Sequence, residues 1–388
     1  MAKFIVTLKQ HTPLIHFQWY QKGAILRASE VKPKLDRFLK ECVFEGKFEE
    51  YKHYLIGYNS EKIEKDFKEK EAFDYKLRVH NVINLKVQNI ELKKGKHKSK
   101  CFPNYFGNMG KKIEEINKFV YCDCLDLEFF SLNKKVLRII KCNLPQFLMK
   151  YNFGQRQSKG FGSFFINNQN KYFIDGREMY YDKEEIRKIK KLKYSFSVDL
   201  DNPKKADKHI KNESSFYNNI FYIFNEINEI YSRIRSGKDK FDPYIKIYSE
   251  SKQMLWEKCA ILENYCGRQV SNLYCKYIIK DLLGLSSTEN WIKYGKKITK
   301  KHCSTKKENV IERYQSPIFF KPIKLEQRYV IYFEGREICQ NFLDEEFLIQ
   351  CNKKGNLKLK TPKEFDIDEL LEYVKENDSK DITKNNRW

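Results

Sequence analysis

Glycine is scarce in this chain, sixteen residues in 388, and acidic residues are outnumbered, 52 Asp and Glu against 75 Lys and Arg. No stretch approaches the roughly 18 consecutive apolar residues of a membrane span, and the short N-terminus MAKFIVTLKQ reads as a strand rather than a secretion signal. The eleven cysteines include no CxxC pair. The closest two, Cys122 and Cys124, sit one residue apart in an apparent strand, and His302 and Cys303 are adjacent rather than spaced. Zinc frameworks use wider cysteine spacing with histidine partners, so reduced, buried thiols in a cytoplasmic protein without a membrane or metal partner are expected. The acidic runs Asp123-x-x-Asp126 and Asp344-Glu345-Glu346 read as solvated faces or the polar sides of strands, and no cofactor is implied.

What is present is positive charge and aromatic surface. The formal net charge is +23, and 15% of residues are Phe, Tyr or Trp. Part of the excess follows from a Lys-, Asn- and Ile-rich composition; the remainder calls for a polyanionic partner, of which nucleic acid is the commonest. A length of 388 residues exceeds one ordinary core, so two domains are expected.

KFIVTLKQH (3–11) is a buried strand that stops at Thr12 and Pro13, because proline cannot donate to a ladder. In RASEVKPKLDRFLKEC, Val31, Leu35, Phe38 and Leu39 form a helical stripe, with Ser29 as N-cap and Pro33 in the first turn. Extended structure over 73–92, broken near Asn81, precedes a basic loop, KKGKHKSK (93–100). A strand over 118–132 leads to a helix over 134–152, broken at Pro145. Beyond EEIRKIKKLK, YSFSVDL alternates as a half-buried strand, and Phe216, Ile220, Ile223, Phe224, Ile227, Ile230, Tyr231 and Ile234 line one face of a long helix ending at Gly237. Helical patterns continue over 247–284, and SPIFFKPI and QRYVIYFE (316–323, 327–334) form a strand pair before a polar tail. This order predicts an α+β chain of two ferredoxin-like (RRM-like) domains, antiparallel sheets with helices on one face, over 1–180 and 190–375, the second diverged and carrying a helical insertion.

Three of the sixteen glycines fall in FGQRQSKGFGSF (153–164). Gly154 and Gly160 lie six apart, and Phe161 follows Gly160, so the stretch is not a G-x-x-x-x-G-K-[ST] phosphate loop; its G-F-G opens a strand, so it is not a dinucleotide fingerprint. What remains is a loop whose glycines allow positive φ and close approach of another chain, here expected to be RNA. Arg156 and Lys159 would supply phosphate contacts and Ser158 a neutral donor, with Phe161 and Phe164 anchored in the core.

A strand ending in Thr12-Pro13-Leu14, then LRASEVKPKLDRFL on a helix, then a helix delivering G-x-R-x-S-K-G-F-G-S before a strand, resembles the RAMP superfamily of CRISPR-associated proteins. SEVKPKL matches the superfamily's helix-entry segment, usually Ser-Ile-Lys-Gly-Ala-Leu-Arg, departing from it at Pro33 and Asp36. The mid-chain position of the loop, and IERYQSPIFFKPI (311–323), are similar to the first subunit of Cmr (type III-B) effector complexes. The resemblance implies a non-catalytic antiviral-defence subunit that binds CRISPR RNA and target RNA near the 3′ end of the guide, beside other RAMP subunits. By position it implies an RNA surface of Lys32, Lys34 and Arg37 with Gly154, Arg156, Ser158, Lys159, Gly160 and Gly162; Arg27 is added on charge.

The rival is a metal-free endoribonuclease processing precursor CRISPR RNA, which needs a general base and acid at the scissile bond. His11 and His16 flank Thr12–Ile15 but point to opposite faces of an extended chain. His53, His80 and His97 have no partner legible in the sequence, and processing enzymes of the superfamily carry the glycine loop near the C-terminus. A basic architectural protein would share the charge without explaining the loop. The expectation is therefore binding, not cleavage.

Overall fold

The computed structural model describes residues 2–15, 24–61, 64–67, 71–89, 118–167, 171–174, 177–180, 194–199, 215–237, 242–267, 276–291, 294–304, 310–325 and 328–378. His16, the basic run 93–100 with His97, EEIRKIKKLK and most of the polar tail lie outside them. The described residues form an α+β structure divided into two compact units. The first comprises Met1–Lys193, Ser197–Phe224 and Phe320–Tyr332; the second comprises Tyr194–Phe196, Asn225–Phe319 and Phe333–Trp388. The chain segments thus interleave, where the sequence led us to expect contiguous domains over 1–180 and 190–375.

In the first unit, β1 (Ala2–Gln10) alternates buried and partly exposed residues, with Phe4, Val6 and Leu8 facing the core. Its antiparallel neighbour β5 (Cys124–Ser131) pairs from Ala2 opposite Ser131 to Lys9 opposite Cys124. On the far side of β5 lies β2 (Lys76–Ile83), where Asn81 at φ 49° marks the register shift expected near that residue. On the other side of β1 lie β7 (Lys171–Ile174) and β8 (Arg177–Tyr180), while β6 (Phe164–Ile166) pairs with the end of β1. A separate hairpin joins β3 (Lys86–Asn89) and β4 (Lys118–Tyr121). All these pairs are antiparallel. Numbered along the chain as β1, β2, β5 and β7, the four main strands stand in the order second, third, first, fourth. One long helix follows the first of them, with two four-residue helices, Phe48–Tyr51 and Glu64–Phe67, after it, and one long helix follows the third.

Both long helices differ from the sequence reading. The helix Ala28–Phe38 starts from Arg27, whose carbonyl accepts from the N–H groups of Glu30 and Val31, so Ser29 is inside it and Pro33 falls in its second turn. Pro33 is exposed and sits opposite the buried Val31, Leu35 and Phe38, whose burial outweighs the lost backbone bond. The helix Lys134–Lys150 runs unbroken through Pro145, held by fully buried Ile140, Leu144, Phe147 and Leu148. Of the described cysteines only Cys122 and Cys351 are buried, while Cys42, Cys142, Cys303 and Cys339 are exposed, contrary to a uniformly buried set.

The helix Ser215–Arg235 buries Ile220, Ile223, Phe224, Ile227, Ile230 and Ile234 as its periodicity requires, and Gly237 ends it at φ 74°. The second unit is richer in strands than its sequence pattern indicates. Its six-stranded sheet runs Leu255–Trp256, Lys276–Tyr277, Lys354–Lys360, Glu346–Cys351, Lys296–His302, Thr288–Trp291. The first two junctions are parallel and the rest antiparallel. Asn352 and Lys353, both at positive φ, make the tight turn between Cys351 and Lys354. The expected helical region 247–284 contains helices Tyr244–Ser251 and Glu257–Cys266 separated by a short strand. SPIFFKPI and QRYVIYFE do form neighbouring strands, Ile318–Leu325 and Arg328–Gly335. No helix among the described residues is long and apolar enough to cross a membrane.

Candidate nucleic-acid interface

FGQRQSKGFGSF connects the helix Lys134–Lys150 to β6, with one 3₁₀ turn over Gln157–Lys159. Gly154, Gly160 and Gly162 have φ of 77°, 88° and 67°. Their need for glycine arises inside the protein. A Cβ on Gly154 would lie 2.6 Å from the Ile15 carbonyl oxygen, and one on Gly162 only 1.9 Å from that of Phe153. The close backbone approach expected for an RNA strand is therefore an approach of the protein to itself at these two positions.

Thr12-Pro13-Leu14 is the seat of the loop. Thr12 Oγ1 donates to the Gly160 carbonyl at 2.6 Å and accepts from the Ser163 N–H at 3.0 Å. Gly162 N–H donates to the Pro13 carbonyl and Gln155 N–H to that of Ile15, each at 2.8 Å. The first helix supplies a second support: Glu30 Oε1 accepts from Gly154 N–H at 2.7 Å, and Lys34 Nζ donates to Glu30, to the Asn152 carbonyl and to Gln157 Oε1. A third comes from residues 320–322. Lys321 Nζ donates to the carbonyls of Tyr151 (2.8 Å) and Phe164 (2.9 Å), one before the loop and one after it. Asn152 Nδ2 donates to the Phe320 carbonyl and Ser163 Oγ to that of Pro322. Phe161 and Phe164 are fully buried, as expected for anchors, and so is Phe153.

The segments that carried the resemblance thus meet at one place in the fold. The sequence model of the Cmr1 N-terminal domain matches residues 1–238, and that of the Cmr1 C-terminal domain matches residues 240–387. This chain belongs to the Cmr1 family. Among solved structures it is similar to Cmr1 from Pyrococcus furiosus in its apo form, at 12% identity and a TM-score of 0.40 over 87% of this chain and 90% of that one. It is also similar to a chain of the type III-B Cmr-beta complex bound to cognate target RNA, at 15% identity and a TM-score of 0.35 over 87% and 96%. No curated protein matches it. In this Cmr1 chain the glycine loop lies within the N-terminal match, whereas Lys321, which joins the loop's two ends, lies within the C-terminal match.

The ten residues expected to face RNA separate into two groups. Gly154 and Gly162 are committed to the loop's own packing, Ser158 is buried, and the Gly160 carbonyl is taken by Thr12. Lys34 is spent on three internal acceptors. Lys32 Nζ lies 3.9 Å above the Tyr75 ring and donates to Asp36 Oδ2 and the Phe73 carbonyl, both at 2.9 Å. Burial raises the Asp36 carboxyl above its ordinary value although Lys32 opposes this. Arg37 is exposed, and Arg27, Arg156 and Lys159 are half-buried. Arg37 lines an open groove of about 660 Å³ beside Lys32, Pro33 and Lys40. Arg156 takes φ 57°, a left-handed conformation that non-glycine residues adopt only under constraint, and burial pulls its guanidinium down to about 10. It remains charged at neutral pH.

His11 is not placed for catalysis. It is 1% exposed, its Nδ1 accepts from the Lys324 N–H at 2.9 Å, and Tyr329 donates to its carbonyl. Burial, with Lys321, Lys9 and Lys324 nearby, pushes its imidazole well below the usual range. Asp126 accepts from Thr7 and Asn81, as suits the polar side of a strand. Among the described residues no group of three or more His, Cys, Asp or Glu could hold a metal ion. Sequence reasoning missed Lys321 altogether, although it sits inside the quoted IERYQSPIFFKPI; a lysine flanked by Phe320 and Pro322 in an apolar strand was the available signal.

Proposed function

We propose that this chain is a non-catalytic RNA-binding subunit of a type III-B RNA-guided effector complex, in which it contacts CRISPR RNA and target RNA near the 3′ end of the guide beside other RAMP subunits. Membership of the Cmr1 family supports the assignment to the complex. The first unit is read as a ferredoxin-like domain, on its strand order and its two long helices. The second is read as its diverged counterpart.

The observation that carries RNA contact is Arg156, held at positive φ in a loop fixed by three separate supports. A turn joining a helix to a strand has no need of a strained, desolvated arginine; a phosphate-binding loop does, because a preset cation loses less entropy on contact. The RNA surface is accordingly narrower than the ten residues of the sequence pattern: Arg156 and Lys159 from the loop, with Arg27 and Arg37 from the first helix and its entry. Lys32, Lys34 and the glycines hold that surface in shape. The burial of His11, one of the two histidines considered, weighs against the endoribonuclease alternative.

Replacing Arg156 and Lys159 together with alanine should weaken binding of single-stranded RNA and reduce the slope of log K against log salt by about 1.4, roughly 0.7 per lost phosphate contact. Fluorescence anisotropy across a salt series measures this. An unchanged slope removes the loop from the RNA surface.

A further inference from the structure

The second unit contains a cavity of about 340 Å³ that the loop-based reading does not use. It is lined by Trp256, Glu257, Lys258, Asn290, Trp291 and Tyr294, among others. Lys258 Nζ lies 5.5 Å from the Trp256 ring centroid and 5.8 Å from that of Trp291. Tyr294 packs at a tilt against Trp291, centroids 6.1 Å apart. Lys280 and Lys300 are already paired with Glu289, which also accepts from Trp291 Nε1. Lys258 is therefore the lining cation whose contacts are aromatic faces rather than carboxylates.

Two polar atoms in residues of the wall are left without a hydrogen-bond partner among the described residues. They are Trp256 Nε1 and Glu257 Oε1, in side chains 6% and 2% exposed. The other oxygen of Glu257 accepts from the N–H groups of Ile279 and Lys280. Burial, with Asp281 close by, raises the Glu257 carboxyl above its usual range, which favours a neutral acid. Unsatisfied buried polar groups are costly, and in native proteins they call for an explanation.

Aromatic faces with one cation beside them are what a nucleotide requires: a stacking surface and a phosphate partner. Ligand pockets span about 300–1,000 Å³, so this volume suits one nucleotide rather than a helical segment. We propose that the cavity is a subsite for a single unpaired nucleotide of an RNA strand, its base stacked on Trp291 and its phosphate at Lys258. The inference rests on the reading of this chain as an RNA-binding subunit, and it adds to the second unit a contact made through a base rather than through phosphates alone.

The test uses the full-length chain, a labelled single-stranded ten-nucleotide RNA and the same RNA as a duplex. Trp291→Ala should weaken single-strand binding about 5- to 150-fold, the range expected of one lost stack. It should leave the salt slope and duplex binding unchanged, and Trp291→Tyr should restore most of the loss. Lys258→Gln should reduce the slope by about 0.7. Because Trp291→Ala can also disturb folding, Lys258→Gln and Trp291→Tyr decide the matter if it does. Wild-type affinity and slope in Lys258→Gln would overturn the subsite, as would equal losses for single strand and duplex in Trp291→Ala. Quenching of tryptophan fluorescence by AMP, with oligonucleotide affinity indifferent to Trp291, would assign the cavity to a free nucleotide and overturn the proposal. None of these outcomes touches the Arg156 and Lys159 result, so the two readings fail separately.

Discussion

Among the described residues each unit buries one lysine, and the two lysines are handled in opposite ways. Lys300, in the second unit, meets the carboxylates of Asp281 and Glu289. Burial works against its charge, yet Asp281, Glu289 and Glu257 hold its ammonium above the ordinary range. Lys321, in the first unit, has two carbonyl acceptors as its hydrogen-bond partners. Burial, reinforced by Lys34, drives its pKa well below the usual value. Lys321 thus joins the two ends of the loop through carbonyl acceptors, with no carboxylate among its hydrogen-bond partners. Burial disfavours charge in both places; the acceptors decide which way the pKa moves.

The sharpest way to break this comparison is Lys300→Met. It strands Asp281 and Glu289, and losing one member of a buried ion pair typically costs about 3–5 kcal/mol. Urea denaturation should show the largest loss of stability of any substitution considered, and a Lys300→Met protein as stable as wild type would mean that the cluster is not load-sharing.

Lys321→Met should cost less, about 1–3 kcal/mol for each carbonyl left without a donor, because no charge is abandoned. Its pH dependence sharpens the contrast. The folded pKa of Lys321 lies below the ordinary 10.5, so between the two values the unfolded chain binds more protons and stability rises with pH. Lys300 behaves in the reverse sense: its folded value is raised, so its contribution is complete below 10.5 and is lost as pH climbs through that folded value. Denaturation midpoints from pH 7 to 10 should therefore lose part of their upward slope in Lys321→Met; parallel curves for variant and wild type would contradict a lowered Lys321 pKa.

The smallest expected effect is at His11. Its folded pKa is depressed, so as pH falls below 6.5 the unfolded chain takes up the proton first and stability declines, by at most about 1.4 kcal/mol per pH unit. His11→Asn keeps an acceptor for the Lys324 N–H and should flatten urea-denaturation stability between pH 6.5 and 5. Persistence of the wild-type slope would mean that His11 is protonated in the folded protein.

The difference between the units also marks what could be read from the sequence. β1, the stop at Thr12 and Pro13, the stripe of the first helix and the position of the glycine loop were all legible, because each combines periodicity with a turn-forming residue. The six-stranded sheet was not. KKITKKH, the strand Lys296–His302, carries more cations than apolar side chains, and only Ile298 and Lys300 face inward; a period of two is hard to see when one of the two inward residues is a lysine. The internal bonds of the expected RNA-binding lysines were hidden for a related reason. A sequence shows that Lys32 and Lys34 are cations but not that Asp36, Phe73, Glu30, Asn152 and Gln157 have already engaged them. Glycine spacing likewise showed that a close approach was needed, without showing that the approaching chain was the protein's own.

The bond from Lys321 to both ends of the loop has a consequence for how the protein is made. Phe164 leaves the ribosome long before Lys321 does, and at about 5–20 residues per second the interval is roughly 8–30 s. During that time Thr12, Glu30 and Lys34 can already hold the loop, but its two closing carbonyls have only water. The glycine loop of the first unit is therefore finished late, by a segment synthesised after most of the second unit, and a nascent chain cannot close both ends of that loop until translation has passed residue 322.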